Sequence, residues 1–254
     1  MLFRSYETGD PNTPPLPVRP YATEVGAKVE KLRVGLLSGA LLPGGLDHPD
    51  ARASVEATGK LLQSLGHHVE VAHPAALNEA EFGDVFLAIV IAHIANDVAA
   101  LEKSFGVTLT TDDIEPGNHL LAQFGNATTA VAYLSAVSWV HAWTRRVVSW
   151  WLPRDGKQGF DVLVTPTLAG PPPKIGALSG DDSTDRIREI MQYTAQFNMT
   201  GQPAISLPLH TSASGLPMGV QFVGAPYRED LLIRLAAQIE AAAPWSSRRP
   251  AVHA

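Results

Sequence analysis

The chain has 254 residues, 45% of them hydrophobic and 17% charged, and this composition is typical of a folded globular protein. A net charge of −6 argues against nucleic acid as a partner, because such binding needs clustered Lys and Arg. The chain has no cysteine, which excludes disulfides, thiolate nucleophiles and cysteine metal sites. The N-terminus lacks the basic and then apolar pattern of a signal peptide, so we predict a cytoplasmic protein.

The first part of the chain is predicted to be a connector followed by a β–α–β unit. Residues 1–31 form the proline-rich connector, because 10–17 carry turn and polyproline chemistry without a core-forming period. A strand at 32–37, a helix at 49–65 and a strand at 68–71 follow. This order over so few residues implies two parallel strands joined by a right-handed crossover.

The middle of the chain is predicted to be helical, over 77–105 and again over 118–151. Trp139 and Trp143 are spaced so that they share one face of the second stretch. A buried seam between helices explains these tryptophans better than a ligand pocket does. The most apolar stretch, 85–95, is too short to span a bilayer, so no membrane partner is predicted.

The last third returns to alternating strand and helix. A compact strand at 161–164 is predicted to end at 165–167, because proline cannot extend a central strand. An amphipathic helix is predicted over 185–198. Its buried face would carry Ile187, Ile190, Met191, Thr194 and Phe197.

Two more strands and a helix complete the predicted elements. The segments 204–208 and 218–223 are strands that could form a hairpin, because turn residues separate them. A closing helix follows over 229–243, and residues 244–254 form a tail. The buried stripe of that helix would carry Leu231, Leu232, Leu235 and Ile239. The sequence contains no internal repeat.

Motifs for hydrolysis, metal binding and phosphate binding are incomplete. Ser38 follows a strand but lacks the Gly-x-Ser-x-Gly elbow of the α/β-hydrolases, so a loop serine is the favoured interpretation. His93 and Asp97 could face one ion, but a catalytic zinc takes three protein ligands and a third cannot be named from sequence. The glycines of 39–45 lack the spacing of a phosphate loop. We therefore predict neither a metal nor a cofactor.

Three motifs in the last third resemble the end of the amidase signature family. They are Asp-Val-Leu-Val-Thr-Pro-Thr at 161–167, Phe-Asn-Met-Thr-Gly-Gln-Pro-Ala-Ile-Ser-Leu-Pro at 197–208, and Gly-Leu-Pro-Met-Gly-Val-Gln-Phe-Val-Gly at 215–224. Their order and their gaps fit that family. Upstream, 19–21 and 32–35 look like the family's mid-chain connector and next strand.

The resemblance covers residues 10–243 and implies both a fold and a chemistry. The fold would be α/β, a partial α/β/α arrangement with a mixed sheet flanked by helices, in which residues 32–243 form the C-terminal part of an amidase-like domain. Family members hydrolyse carboxamides with a serine nucleophile, a second serine that relays the proton and a lysine base. Those residues belong to the family's N-terminal half, and no catalytic residue can be assigned here. The chain alone is expected to be inactive.

What the resemblance does assign is a wall of the substrate pocket. Thr165, Thr167, Asn198 and Gln202 would be its polar lining, next to a small-molecule carboxamide. The alternative interpretation is purely structural: the threonines end a strand, and Asn198 caps a helix. The helices of 77–151 would set substrate selectivity.

Several partners and functions remain open from sequence. One possibility is that the chain pairs with a separately encoded N-terminal amidase half. Another is that it is a truncated gene product. A third is that it self-associates through an exposed sheet edge. A second hypothesis is a non-catalytic module that binds a small molecule or another protein. A third is an unrelated hydrolase that uses Ser38 or the histidines, which distances in three dimensions would test.

Overall fold

A computed structural model describes residues 13–41, 45–153, 156, 158–178 and 183–249. Residues 1–12 of the predicted connector and 250–254 of the predicted tail lie outside them. Within the described ranges, five strands form one mixed sheet. In chain order they are β1 (Arg33–Leu36), β2 (His68–Val71), β3 (Val162–Pro166), β4 (Ala204–Thr211) and β5 (Pro217–Gly224). Their order across the sheet is β2-β1-β3-β5-β4.

Helices cover both faces of this sheet. They are α1 (Pro49–Ser64), α2 (Phe82–Phe105), α3 (Pro116–Asn126), α4 (Ala130–Val148), α5 (Ser183–Ile190), α6 (Ala195–Thr200) and α7 (Glu229–Ala242). One core joins α1 and α7 to the face of β3 that carries Val164. The other core joins α2, α4 and α6 to the opposite face, which carries Leu163. The predicted α/β/α arrangement with a mixed sheet is confirmed.

The predicted β–α–β unit is present. β1 pairs in parallel with β2 on one side and with β3 on the other. Helix α1 begins with Pro49 in its first turn, and the side chain of His48 accepts a hydrogen bond from the N–H of Asp50. A side-chain acceptor at this position satisfies one of the unpaired N–H groups of the first turn. The unit therefore forms from local sequence preferences.

Strand β3 extends further than predicted and includes Pro166, which lies opposite Val220 of β5. The N–H of Thr167 donates to Gly219 O at 3.1 Å, so antiparallel alternation turns the nitrogen of Pro166 towards β1. The pairing of β3 with β1 stops at Val164. Because Pro166 lies beyond that point, its lack of an N–H removes no hydrogen bond between β1 and β3. The strand ends within the predicted 165–167, but Pro166 itself is still paired with β5.

The helical middle has more breaks than predicted. A short 3-10 helix at Ala75–Asn78 precedes α2, and the second predicted stretch is divided into α3 and α4. The division lies at Thr129, whose side chain accepts from the N–H of Ala132 and caps α4. Helix α2 is longer than the apolar stretch seen in the sequence. The expectation that this region is too short to span a bilayer does not hold for α2, which by length and composition alone could cross a membrane, and 11% of its most apolar window is buried.

The tryptophan seam between helices is confirmed. Trp143 of α4 is fully buried, and its ring stacks on Phe82 of α2 with 4.7 Å between centroids. Trp139 stacks on Trp143 at 5.9 Å. The indole Nε1 of Trp143 donates to Ala76 O at 2.8 Å, which fixes the turn before α2. The two tryptophans thus hold the helical layer together.

The amphipathic helix predicted over 185–198 is instead two helices, α5 and α6, joined by a turn at 191–194. Its predicted apolar face is not uniformly buried, since Ile187 is 40% exposed. Phe197 of the predicted face is buried, and so are Gln192 and Tyr193 in the turn. Their polar groups bond to the loop after β1, and this tertiary contact overrides the helical periodicity.

The C-terminal hairpin and closing helix agree with the prediction. β4 and β5 pair antiparallel, with a register irregularity between Leu207 and His210. Helix α7 packs on the sheet through its predicted stripe, and all four of its members are buried: Leu231, Leu232, Leu235 and Ile239.

The described part of the N-terminal connector is anchored to α7. Glu24 is only 3% exposed and forms a two-pronged ion pair with Arg19, at 2.5 and 2.7 Å. Arg234 of α7 approaches the same carboxylate at 2.9 Å. Hydrogen bonding from Arg19 lowers the pKa of the Glu24 carboxyl below its usual value, although its removal from water opposes this effect.

We expect Glu24→Gln to destabilise the protein at neutral pH and to matter progressively less in acid. A carboxyl whose pKa is lowered by folding contributes stability above its unfolded pKa of about 4.3, and that contribution is lost as pH falls through the folded value. Urea unfolding at a series of pH values measures the difference. Glu30→Gln is the control, since Glu30 pairs with Lys28 only at the exposed surface. A constant difference at all pH values would contradict the expectation.

Candidate functional site

A polar patch lies at the carboxyl end of β3, on the sheet face that packs against α6. Thr165 is fully buried, and its hydroxyl donates to Pro166 O at 2.8 Å. It accepts from Nε2 of Gln221 at 3.0 Å, and the same amide nitrogen donates to Tyr193 O at 2.7 Å. Gln221 therefore ties β5 to β3 and to the turn before α6. Thr165 lies beneath the surface and supports the patch from within.

The exposed part of this patch is a pair of hydroxyls. Thr167 Oγ1 lies 2.7 Å from Ser206 Oγ, which joins the end of β3 to β4 across β5. Gly219 lies between them on β5. A Cβ at that position would overlap Ser206 Oγ and come within 2.8 Å of Thr167 Oγ1. The glycine gives the two hydroxyls room to meet.

The loop after β1 is held against the α5–α6 turn. Gln192 accepts from the N–H of Leu41 at 3.0 Å and donates to Leu46 O at 2.9 Å. The phenol of Tyr193 donates to Gly39 O at 3.0 Å. Burial raises the pKa of Tyr193 to about 12, with a smaller contribution from Asp47, so the phenol stays a hydrogen-bond donor at neutral pH.

The other two predicted lining residues lie elsewhere. Gln202 is buried, and its Nε2 donates to Gly224 O at 2.7 Å. Gly224 is five residues along β5 from Gly219, so the Gln202 amide is bonded towards the other end of β5 from the hydroxyl pair. Asn198 is exposed within α6, and its side chain makes no hydrogen bond among the described residues. The structure thus brings Thr165 and Thr167 together and separates them from Gln202.

We expect Gln221→Leu to lower the free energy of unfolding by about 1–3 kcal/mol, because it leaves a buried carbonyl and a buried hydroxyl without their donor. Ser206→Ala is the matched control, since its hydrogen bond is solvent-exposed and should be worth about 1 kcal/mol or less. Chemical denaturation of both variants measures the difference. Equal losses would show that the Gln221 amide is not the buried link described here.

No serine in the described ranges is hydrogen-bonded to a lysine or histidine side chain. Ser38 is half-buried and has no such base. His93 directs Nδ1 at Ile89 O, 2.9 Å away, which occupies the nitrogen nearer the backbone. Across the described residues, no three His, Asp or Glu side chains converge as metal ligands would. The patch therefore offers hydroxyls and amides, but no activated nucleophile of its own.

A groove of about 860 Å³ opens beside the beginnings of β1 and β3, between Trp150, Phe160 and Arg145. It contains none of the four predicted lining residues. The two other arginines that line the groove already have carboxylate partners. Arg146 pairs with Glu79, which also lines the groove, and Arg33 pairs with Glu70, which does not. Because these charges are satisfied, the groove is less suited to chemistry than the patch at the carboxyl end of β3.

Two residues of the patch were not predicted from the sequence. Gln221 and Ser206 lie in strands that were recognised, but neither was selected as a site residue. A polar side chain between Val220 and Phe222, in an otherwise apolar strand, is the observation that could have identified Gln221. Ser206 could have been found only from the register that sets it beside Gln221.

A mixed sheet between two helical layers matches the fold of the amidase signature structures. The family model described as Amidase matches residues 2–233. The chain belongs to the amidase signature family.

Individual relatives agree with this assignment. The chain is 34% identical over 259 aligned residues to the 6-aminohexanoate-cyclic-dimer hydrolase of Pseudomonas sp. strain NK87, covering 98% of this chain and 52% of that protein. A solved structure of 6-aminohexanoate cyclic dimer hydrolase superposes with a TM-score of 0.88 at 33% identity, over 97% of this chain and 52% of that one.

A more distant structure, of a bacterial aryl acylamidase of the amidase signature family, shares the fold with a TM-score of 0.70 at 18% identity. It is matched over 89% of this chain and 46% of its own. The chain spans about half the length of the relatives it matches.

Proposed function

We propose that the chain supplies the C-terminal half of an amidase, which hydrolyses a carboxamide by acyl transfer to a serine provided by the N-terminal half. The observation that carries the proposal is the 34% identity that extends over 98% of the chain while spanning 52% of the relative. In the family, the serine nucleophile, the relay serine and the lysine base lie in the N-terminal half. On this proposal the chain is inactive until it is joined to such a half, in one polypeptide or as a separate partner.

The chain's own contribution is a wall of the substrate pocket. The hydroxyls of Thr167 and Ser206 can donate to and accept from a polar amide group, which fits the position of a carboxamide near the end of β3. In the helical layer on the Leu163 face of the sheet, Met199 of α6 packs with Ile89 of α2 and Val140 of α4 in a small apolar cluster. An aliphatic acyl or amine portion would contact these helices.

We propose an aliphatic amide as the substrate class, of the kind hydrolysed by the 6-aminohexanoate-cyclic-dimer hydrolases to which the chain is most similar among the relatives described above. The half-buried apolar side chains of α2 support this choice over a highly charged substrate, because desolvating a charge against them would be costly. Thr165, Asn198 and Gln202 are proposed to support or border the pocket.

The test is an amide-hydrolysis assay on the purified chain, using the cyclic dimer of 6-aminohexanoate and a simple anilide. We expect no turnover from the chain alone, since losing a complete nucleophile and base set costs about 10⁶-fold in rate. Adding the N-terminal half of the 6-aminohexanoate-cyclic-dimer hydrolase of Pseudomonas sp. strain NK87 should produce activity. Turnover by the chain alone that is abolished by Ser38→Ala would instead support an unrelated serine hydrolase.

A further inference from the structure

We propose that the groove between Trp150, Phe160 and Arg145 binds a small aliphatic carboxylate, with the anion on Arg145 and the hydrocarbon part against the aromatic wall. The groove lies at the beginning of β3, whereas the Thr167–Ser206 hydroxyl pair lies at the other end of that strand. Its volume of about 860 Å³ is usual for a small-molecule site. Binding there is independent of amide hydrolysis and so lies outside the proposed function.

Arg145 is the cation in the groove that has no carboxylate partner. It is exposed near the end of α4, and its Nη1 donates to His141 O at 3.3 Å. Among the described residues no carboxylate lies within ion-pair distance of its guanidinium. A guanidinium can hold a carboxylate with two parallel N–H groups, and Nε and Nη2 of Arg145 remain for this purpose.

The other charges of the groove favour an anion as well. Three arginines line it, Arg33, Arg145 and Arg146, together with one carboxylate, that of Glu79. Arg146 neutralises that carboxylate through a two-pronged pair, with Nε 2.8 Å from Oε1. Glu79 therefore does not repel an anion placed on Arg145, and the net positive charge of the lining attracts one.

The wall beside these charges is apolar and rigid. The rings of Trp150 and Phe160 stack with their centroids 3.9 Å apart and an angle of 6° between their planes. Trp150 rests directly on β1, since a Cβ at Gly35 would come within 2.6 Å of its ring. The guanidinium of Arg33 lies over Phe160, 3.9 Å from the centroid. This wall is in place before any ligand binds, which lowers the cost of binding.

The chemistry of the wall selects among anions. Phe160 is covered by Trp150 and by Arg33, so its ring is not open for an aromatic ligand to stack on. Leu152, which also lines the groove, is 59% exposed and offers an aliphatic contact. A single unpaired guanidinium balances one negative charge, and a doubly charged phosphate would lose hydration against this wall. A monocarboxylate with an aliphatic chain fits both parts.

The test is a calorimetric titration of the purified chain with hexanoate, acetate, hexanamide and inorganic phosphate. We expect saturable binding of hexanoate. Acetate should bind at least about tenfold more weakly, because each buried methylene contributes about fourfold in affinity. Hexanamide has the chain without the charge, and phosphate has the charge without the chain. Both should also bind at least about tenfold more weakly than hexanoate.

Two arginine variants locate the charge that binds. Arg145→Gln should weaken hexanoate binding at least about tenfold. Arg248→Gln is the matched control, since Arg248 is exposed, lies outside the groove and contacts the carbonyl of Pro208. It makes the same change in net charge and should leave hexanoate affinity unchanged. Circular dichroism confirms that both variants are folded.

Nuclear magnetic resonance of the unmodified chain gives a second measurement that needs no variant. The amide signals of Ser149 and Trp150 should shift on addition of hexanoate, and those of Thr167 and Ser206 should not. The proposal is overturned by any of four results: no saturable binding of hexanoate, equal binding of hexanamide or phosphate, equal losses for the two arginine variants, or shifts confined to the hydroxyl pair. None of these measurements uses hydrolysis, so the proposed function is tested separately.

Discussion

Replacing Trp143 by alanine should lower the free energy of unfolding by about 3–5 kcal/mol, the largest stability change that we expect from one substitution. The side chain is fully buried and stacks on Phe82 and Trp139. Its loss opens a cavity between α2 and α4. It also removes the donor to Ala76 O, a bond of 2.8 Å that holds the turn before α2. Urea unfolding followed by circular dichroism measures the change.

Val131→Ala is the control for that experiment, because Val131 lies on the same helix and is 75% exposed. Its removal should change stability by less than about 0.5 kcal/mol, as is usual for exposed positions. A loss for Trp143→Ala no larger than that of the control would mean that the seam between α2 and α4 does not carry the helical layer.

The second large effect is expected at Gly125, where α3 crosses α2. A Cβ at this position would overlap the carbonyl oxygen of Ile91 and lie 2.7 Å from the Cβ of Ala95. Because backbone cannot yield as a flexible side chain can, Gly125→Ala should force the helices apart and cost about 1–3 kcal/mol.

Gly117→Ala tests the same change in the same helix where there is space. No atom lies within 4 Å of a Cβ built on Gly117. Alanine is the better helix former by about 1 kcal/mol, so this variant should be neutral or more stable. Thermal unfolding of the pair should therefore give shifts of opposite sign. Two stabilising shifts would show that helix propensity, and not the close approach at Ile91, decides the outcome.

Local patterns predicted most of the regular structure. The strands are short apolar runs, α1 has a proline and a capping residue at its start, and α7 has the stripe that packs on β3 and β5. The parallel pairing of β1 with β2 followed from the length of the connection alone. These features depend on residues close together in the chain, which is why sequence was sufficient.

The errors arose where distant contacts outweigh local preference. The strand β3 ends within the predicted 165–167, but Pro166 can still pair with β5 because the ladder with β1 has already ended, and no local pattern contains that information. The helix predicted over 185–198 is interrupted because Gln192 and Tyr193 bond to the loop after β1, about 150 residues earlier in the chain.

The candidate site was only partly predictable for the same reason. Thr165 and Thr167 were identified by their position at the end of a strand, and they lie together. Gln202 was selected from a neighbouring motif, but the hairpin carries it towards the other end of β5. Ser206 joined the patch only once the register of three strands was known.

The central position of β3 bears on how the chain acquires its structure. The N–H of Arg33, at the start of β1, bonds to Asp161 just before β3, across 128 residues of sequence. β5, in contrast, follows β4 after a short turn. Closing the longer loop costs more chain entropy before any contact compensates for it. We therefore expect the β4–β5 hairpin to form early, and the pairing of β1 with β3 to limit the rate of folding.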